Sequence, residues 1–390
     1  MKVSQRAQAI TPFLAMEFGK HAAALEAAGH RVIRLNLGEP DFGAPPAVRA
    51  ELQRVAAQAA MPYTGALGLP ALREAIAGFY AQVHGVPLQP EQVVVTAGAS
   101  AALLLLTAAL VDPGDEVLVG DPSYPCNRRF LSGFGAEVRL VPTEAASRFQ
   151  LTLASVQRHW SARTRGLMIA TPSNPTGTSV PRAELAAIGQ WAQAHEAWRI
   201  VDEIYLNLSD PQPDGTPAPT ALAADPGACV INSFSKYFGM TGWRLGWAVV
   251  PPALVSAMER LAQNYYICAP TPAQLAALAC FTPESLAECE ARKREFLGRR
   301  ALVLQGLQRI GLPVPVPPDG AFYVYIDVGA TGMDAMAFCQ RALNEAHVAL
   351  TPGHDFGVRE AGRFVRLSYA ASRDDLAEGL ARLGRWLGTA

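Results

Sequence analysis

Lysine is scarce in this 390-residue chain: only Lys2, Lys20, Lys236 and Lys293 occur, and arginine carries nearly all the other positive charge. Charged residues make up 17% of the sequence and the formal net charge is −1, so no general attraction toward nucleic acid or an anionic membrane is built in. The six cysteines (Cys126, Cys229, Cys268, Cys280, Cys289 and Cys339) are scattered, with no C-x-x-C pair and no Cys/His cluster of zinc-ligand spacing. That argues against a structural metal and for reduced, mostly buried thiols. The first residues lack the apolar segment of a secretory signal. The longest apolar run, from Ala97 to Val111, is broken by Ser100 and Thr107 and is too short to span a bilayer. A cytoplasmic protein is expected.

What the chain does have is bulk to bury, with 50% apolar residues. At this length two domains are the natural expectation. Residues 1–45 are expected to form an N-terminal arm and part of a small domain, 46–280 a large domain, and 281–390 a C-terminal small domain. Ala22 to Ala28 is strongly helix-forming, with Gly29 as its stop. A long helix is expected from Pro283 to Ile310. Seven short apolar runs occur at Val93-Val94-Val95, 116–119, 138–141, 167–170, 199–201, Val230-Ile231 and 245–250, each expected to be followed by a helix-like segment. Unalternating β-rich runs of this kind predict an α/β domain with a mostly parallel, seven-stranded sheet between helices. Sites in such sheets form at the carboxyl ends of the strands.

Lys236 is the odd lysine by context. It follows an apolar run and sits among Ser, aromatic and Gly residues without an acidic neighbour. Burial there disfavours the ammonium form and suits a Schiff-base nucleophile; a lysine stem packed on apolar surface is the plainer alternative. Other polar residues collect just after the strands. Gly98-Ala99-Ser100 opens a helix whose free N–H groups suit a phosphate, or simply makes a tight turn. Asn174 is held at the tip of a proline-fixed loop, as a site residue or simply to form an Asx turn. Asp202 follows an apolar run, where a carboxylate is costly unless it faces a cation or caps a helix. With Ser233, Ser235, Tyr205 and Arg244 these supply a phosphate cradle, an amine, an acid, an amide, a phenol and a guanidinium. That is the set pyridoxal 5′-phosphate requires.

On these motifs, and on Gly38-Glu39-Pro40-Asp41-Phe42, Ser173-Asn174-Pro175-Thr176-Gly177, Ser233-Phe234-Ser235-Lys236 and Arg366-Leu367-Ser368, the chain resembles the class I and II aminotransferases. These are fold-type I enzymes of pyridoxal phosphate, and the likeness is to their bacterial aspartate-aminotransferase-like branch. The resemblance implies a covalent anchor and proton carrier at Lys236, Asp202 on the ring nitrogen, and Asn174 and Tyr205 on the phenolic oxygen. It implies Tyr124 stacked on the ring, and phosphate contacts from Gly98, Ala99, Ser100, Ser233, Ser235 and Arg244. Arg366, beside the Gly38 backbone, would take the substrate α-carboxylate, with Asn174 close by. Tyr63 would reach the phosphate of a neighbouring subunit, so a homodimer with shared sites is implied. The expected reaction is ping-pong transfer of an amino group from an L-amino acid to a 2-oxo acid.

Departures bear on the substrate. Members that read a side-chain carboxylate need a second cation, either in the phosphate turn, where this chain has Ser100, or near 264–268, which holds two tyrosines and no cation. A neutral aliphatic or aromatic donor is therefore expected, unless Arg128 or Arg129 reaches the site. Two other readings stay open: a carbon–sulfur β-lyase on the same scaffold, and a non-catalytic sensor protein.

Overall fold

Each of the seven apolar runs is a strand of one sheet. The computed structural model describes residues 1–58 and 60–389. Its strands in chain order begin with β1 (Ile33–Arg34), β2 (Val93–Thr96), β3 (Glu116–Asp121), β4 (Glu137–Pro142), β5 (Thr164–Ala170) and β6 (Trp198–Asp202). There follow β7 (Cys229–Ser233), β8 (Gly246–Val249), β9 (Tyr323–Asp327), β10 (Val348–Ala349), β11 (Thr351–Pro352) and β12 (Phe364–Ser368). The large sheet has the order β2-β8-β7-β6-β5-β3-β4. Strand β8 runs antiparallel to both neighbours, β2 and β7, and the remaining pairs are parallel.

The runs lack polar alternation because both faces are covered. Val93, Val95, Leu118, Leu167, Val230 and Val249 join one buried cluster. Their neighbours Val94, Val117, Met168, Ile231 and Ala248 join a second one on the opposite face. Helix Ala99–Leu110 lays Leu103, Leu105 and Leu106 into that second layer.

Helix Pro283–Arg309 begins at Thr282, whose hydroxyl accepts from Ser285 N at 3.3 Å. It leads to a three-stranded antiparallel sheet of order β11-β12-β9. The start of the chain packs here as well, since β1 pairs with β10 through Ile33 and Val348. Arg366 lies in β12, the central strand, and is 1% exposed. Among the described residues, no helix is long and apolar enough to cross a membrane.

Topology decides where chemistry can gather. The chain leaves β2, β3, β5, β6 and β7 on one edge of the large sheet. Because β8 runs the other way, the residues just before it, including Arg244, lie on that same edge.

Candidate active site

A cavity of about 300 Å³ opens on that edge. One end is a ready anion site. Helix Ala99–Leu110 starts here with no side-chain cap on its first N–H groups, and its dipole adds partial positive charge. Gly98 turns the chain into the helix at φ +85°, and a Cβ at this position would lie 2.6 Å from Arg244 Nη2. So the glycine is required both for its backbone angle and for the close guanidinium. Arg244 itself is left-handed (φ 54°) and is held by Nη1 donating to Thr241 O at 2.9 Å. Ser100, Ser233 and Ser235 line the same end. Ser233 Oγ accepts from Ser235 N at 3.0 Å, which fixes the turn leading to Lys236.

Lys236 reaches the middle of the cavity. Its Nζ donates to Gly38 O at 2.6 Å. Phe234 and Phe238 anchor the backbone on either side, in tilted contact at 5.4 Å, with Phe234 also against Trp247 at 4.9 Å. Burial pushes the ammonium down to about 8; Glu39 resists the shift, while Arg366 and Arg244 add to it. Asp202 faces the same space from the end of β6, and Ile204 N donates to its Oδ1 at 3.2 Å. Burial pushes this carboxyl up to about 6, against the pull of Ile204 N–H and Lys236. Burial also raises the phenols of Tyr124 and Tyr205 well above their ordinary value, so both remain protonated.

At the opposite end lies Arg366. It donates to Asn174 Oδ1 at 2.8 Å and Asn36 O at 2.7 Å, its Nε has no partner, and its guanidinium lies over the Tyr323 ring at 4.6 Å. Thr351 Oγ1 takes a further contact at 3.3 Å. Among the described residues none of these partners is an acid. A buried guanidinium with no carboxylate bonded to it is costly unless an anion arrives.

Thirteen of the fourteen residues singled out from sequence thus border one cavity or its immediate backing: Gly98 backs Arg244 and the other twelve line it. Tyr63 does not; it is 78% exposed and points outward. Arg128 and Arg129 do not reach the site either. Arg128 donates to Asp355 O at 3.0 Å, and Arg129 to Thr11 Oγ1 at 2.7 Å.

Several residues were missed or left open. Tyr323, which with Phe322 could from sequence either wall the substrate pocket or form strand core, lines the cavity, and its hydroxyl pairs with Tyr205 OH at 2.8 Å; the following were not singled out at all. Asn36 contributes the carbonyl that holds Arg366. Phe13, Met16 and Leu37 give the wall its apolar surface. The start of helix Leu14–Ala27, which follows Phe13 and carries Met16, is fixed by Asp355, which accepts from Leu14 N at 2.9 Å and Ala15 N at 3.0 Å. A buried acid bonded to two successive N–H groups near a helix start is a cap supplied from far along the chain, and no local pattern announces it.

The donor set fits pyridoxal phosphate. A helix start, hydroxyls and a guanidinium match the phosphate, a buried carboxylate matches a protonated pyridine nitrogen, and a depressed lysine matches the aldehyde. The three groups lie at different points of one cavity.

Comparison with known proteins agrees with this geometry. The family model for "Aminotransferase class I and II" matches residues 30–383. A valine–pyruvate aminotransferase of Mycobacterium tuberculosis is 41% identical over 97% of each chain. An aspartate/prephenate aminotransferase of Thermus thermophilus is 36% identical, over 100% of this chain and 99% of that one. The crystal structure of an aminotransferase from M. tuberculosis superposes with a TM-score of 0.95 at 40% identity, covering 100% of both chains.

Proposed function

The chain belongs to the class I and II aminotransferases, and from that premise we propose that its amino donor is a neutral aliphatic or aromatic L-amino acid. It is an enzyme of pyridoxal phosphate that moves an amino group between an amino acid and a 2-oxo acid. The observation that carries the donor assignment is the census of cations. Lys236, Arg244 and Arg366 are the lysine and arginine side chains lining the cavity among the described residues. The first serves the aldehyde, the second the phosphate and the third the α-carboxylate. None is left for a side-chain carboxylate, whereas Phe13, Met16 and Leu37 offer apolar contact. The named activity of the mycobacterial relative, valine with pyruvate, supports the aliphatic reading.

When bound, the cofactor supplies an aldehyde carbon for the amino group and a cationic ring that withdraws electrons from the donor Cα. The residues then have separate tasks. Asp202 holds the proton on the ring nitrogen. Arg366 fixes the donor carboxylate by a charge-assisted fork, so that the Cα–H lies near Lys236. Lys236 Nζ, neutral in a useful fraction at pH 7, accepts the Cα proton. Asn174 receives Arg366 on its oxygen, which leaves its NH₂ to donate toward the cavity. Tyr124 meets Phe13 edge-on at 6.1 Å and forms part of the cavity wall. Water supplies the oxygen with which the donor leaves as its 2-oxo acid, and it leaves before the acceptor enters, so ping-pong kinetics follow.

A homodimer with shared sites is part of the proposal. Tyr63 is exposed, and so are Met61, Tyr265 and Ile267. A cytoplasmic location is supported by the six free cysteines. The donor assignment is tested by mixing the holoenzyme with single amino acids and following cofactor absorbance. Valine, alanine, methionine or phenylalanine should convert it faster than aspartate; aspartate as the fastest donor refutes the assignment.

A further inference from the structure

Beside Asp202 stands a second acid that the mechanism above does not use. Glu203 is 0% exposed. The two side chains leave the end of β6 in opposite directions, as neighbours on an extended chain must. Asp202 enters the cavity, whereas Glu203 turns into the protein and meets the turn at 220–221. Thr220 Oγ1 donates to Glu203 Oε2 at 2.7 Å, and Ala221 N donates to Oε1. Both partners are uncharged. Thr220 is 1% exposed and Ala221 equally buried, so water does not solvate the contact. The backbone is tied too, with Glu203 N donating to Ile231 O of β7 at 2.8 Å.

We propose that Glu203 is a positioning residue for Asp202: buried without a cation, it clamps the end of β6 to the Thr220–Ala221 turn and so holds Asp202 toward the nitrogen of the cofactor ring. The inference rests on the role proposed above for Asp202.

Physical chemistry favours this arrangement. An ionised carboxylate buried without a cation is expensive, and it stays neutral instead. Burial raises Glu203 most, Asp202 adds to the shift, and the Ala221 and Thr220 bonds oppose it; the carboxyl reaches about 8. The other ionisable group facing it is Tyr80, on helix Pro70–His84. Its phenol is itself pushed upward by burial and by Glu203, and it accepts from Trp247 Nε1 at 3.3 Å. Two adjacent carboxyls thus divide their states by environment. One is poised to be an anion at neutral pH and the other a neutral clamp.

The test is a pH titration of cofactor absorbance in the holoenzyme. Wild type should show a spectral step near pH 8, when Glu203 ionises and adds charge behind Asp202. Glu203→Gln retains an acceptor for Ala221 N and cannot ionise, so the step should vanish while the spectrum on the acid side persists. Thr220→Val removes one bond to the ionised form, which should move the step upward by roughly one pH unit. A wild-type profile without the step overturns the proposal, as does a Glu203→Gln variant that keeps it. Loss of thermal stability in both variants with an unmoved step would mark a merely structural clamp and overturns it equally. Asp202→Asn separates the two readings. If it leaves the spectrum and cofactor affinity unchanged, the role of Asp202 fails; if it changes them while Glu203→Gln does nothing, only the present inference fails.

Discussion

The state of Lys236 before the cofactor arrives can be measured directly. Burial brings its amine from an ordinary value of 10.5 down to about 8. At pH 7 an ordinary lysine is roughly 0.03% free amine, whereas a group at about 8 is roughly 9% free amine, a ratio of about 300. Only the free amine attacks an aldehyde. Apoenzyme, prepared by converting the cofactor to its amine form and dialysing it away, should be mixed with pyridoxal phosphate and followed by absorbance. The rate of covalent capture should rise about tenfold per pH unit below pH 7 and bend to a plateau just above pH 8. Glu39 favours the ammonium, so Glu39→Gln should move the bend below pH 8. A capture rate that keeps climbing past pH 9.5 would refute the argument, because it would mean that Lys236 behaves as a solvated lysine.

Two further outcomes follow from the geometry. Arg366→Gln keeps much of the volume and removes the charge, and should lower kcat/KM for amino acids by about 10²–10⁴-fold, as for other buried charge-pair losses. Cofactor absorbance should be unchanged, and a loss under tenfold would contradict the carboxylate role. Tyr63→Ala and Lys236→Ala subunits should each be nearly inactive as homodimers. Mixed after mild dissociation, they should regain up to about a quarter of wild-type activity, because half the dimers then hold one intact site. No recovery in verified hybrid dimers would count against a shared site.

The seven strands were legible because a sheet covered on both faces needs apolar residues at every position, and such runs stand out between helices. Strand direction was not legible: 245–250 reads the same in either sense, yet only an antiparallel β8 brings Arg244 to the edge that carries Lys236. Polar residues after strand ends were also legible, since a sheet edge is the place where they need not be buried against apolar neighbours. Asn174, Asp202 and Lys236 stood out for that reason.

What escaped notice were residues whose role arises from contacts across the fold. Tyr323 was open between pocket wall and strand core, because an aromatic at the start of a strand ordinarily means core, and only the contacts with Tyr205 and Arg366 place it in the site. Asp355 ends a short 3-10 helix 341 residues from Leu14, whose N–H it receives. Glu203 was hidden by its own neighbour, because a pair of acids after a strand reads as one polar strand end. Side-chain alternation separates them: a single step along the chain takes the carboxylate from the cofactor face to the interior. Both carboxyls are buried, but Asp202 has Lys236 nearby whereas Glu203 has no cation among the described residues. Its function then follows from its protonation state, which no local sequence pattern encodes.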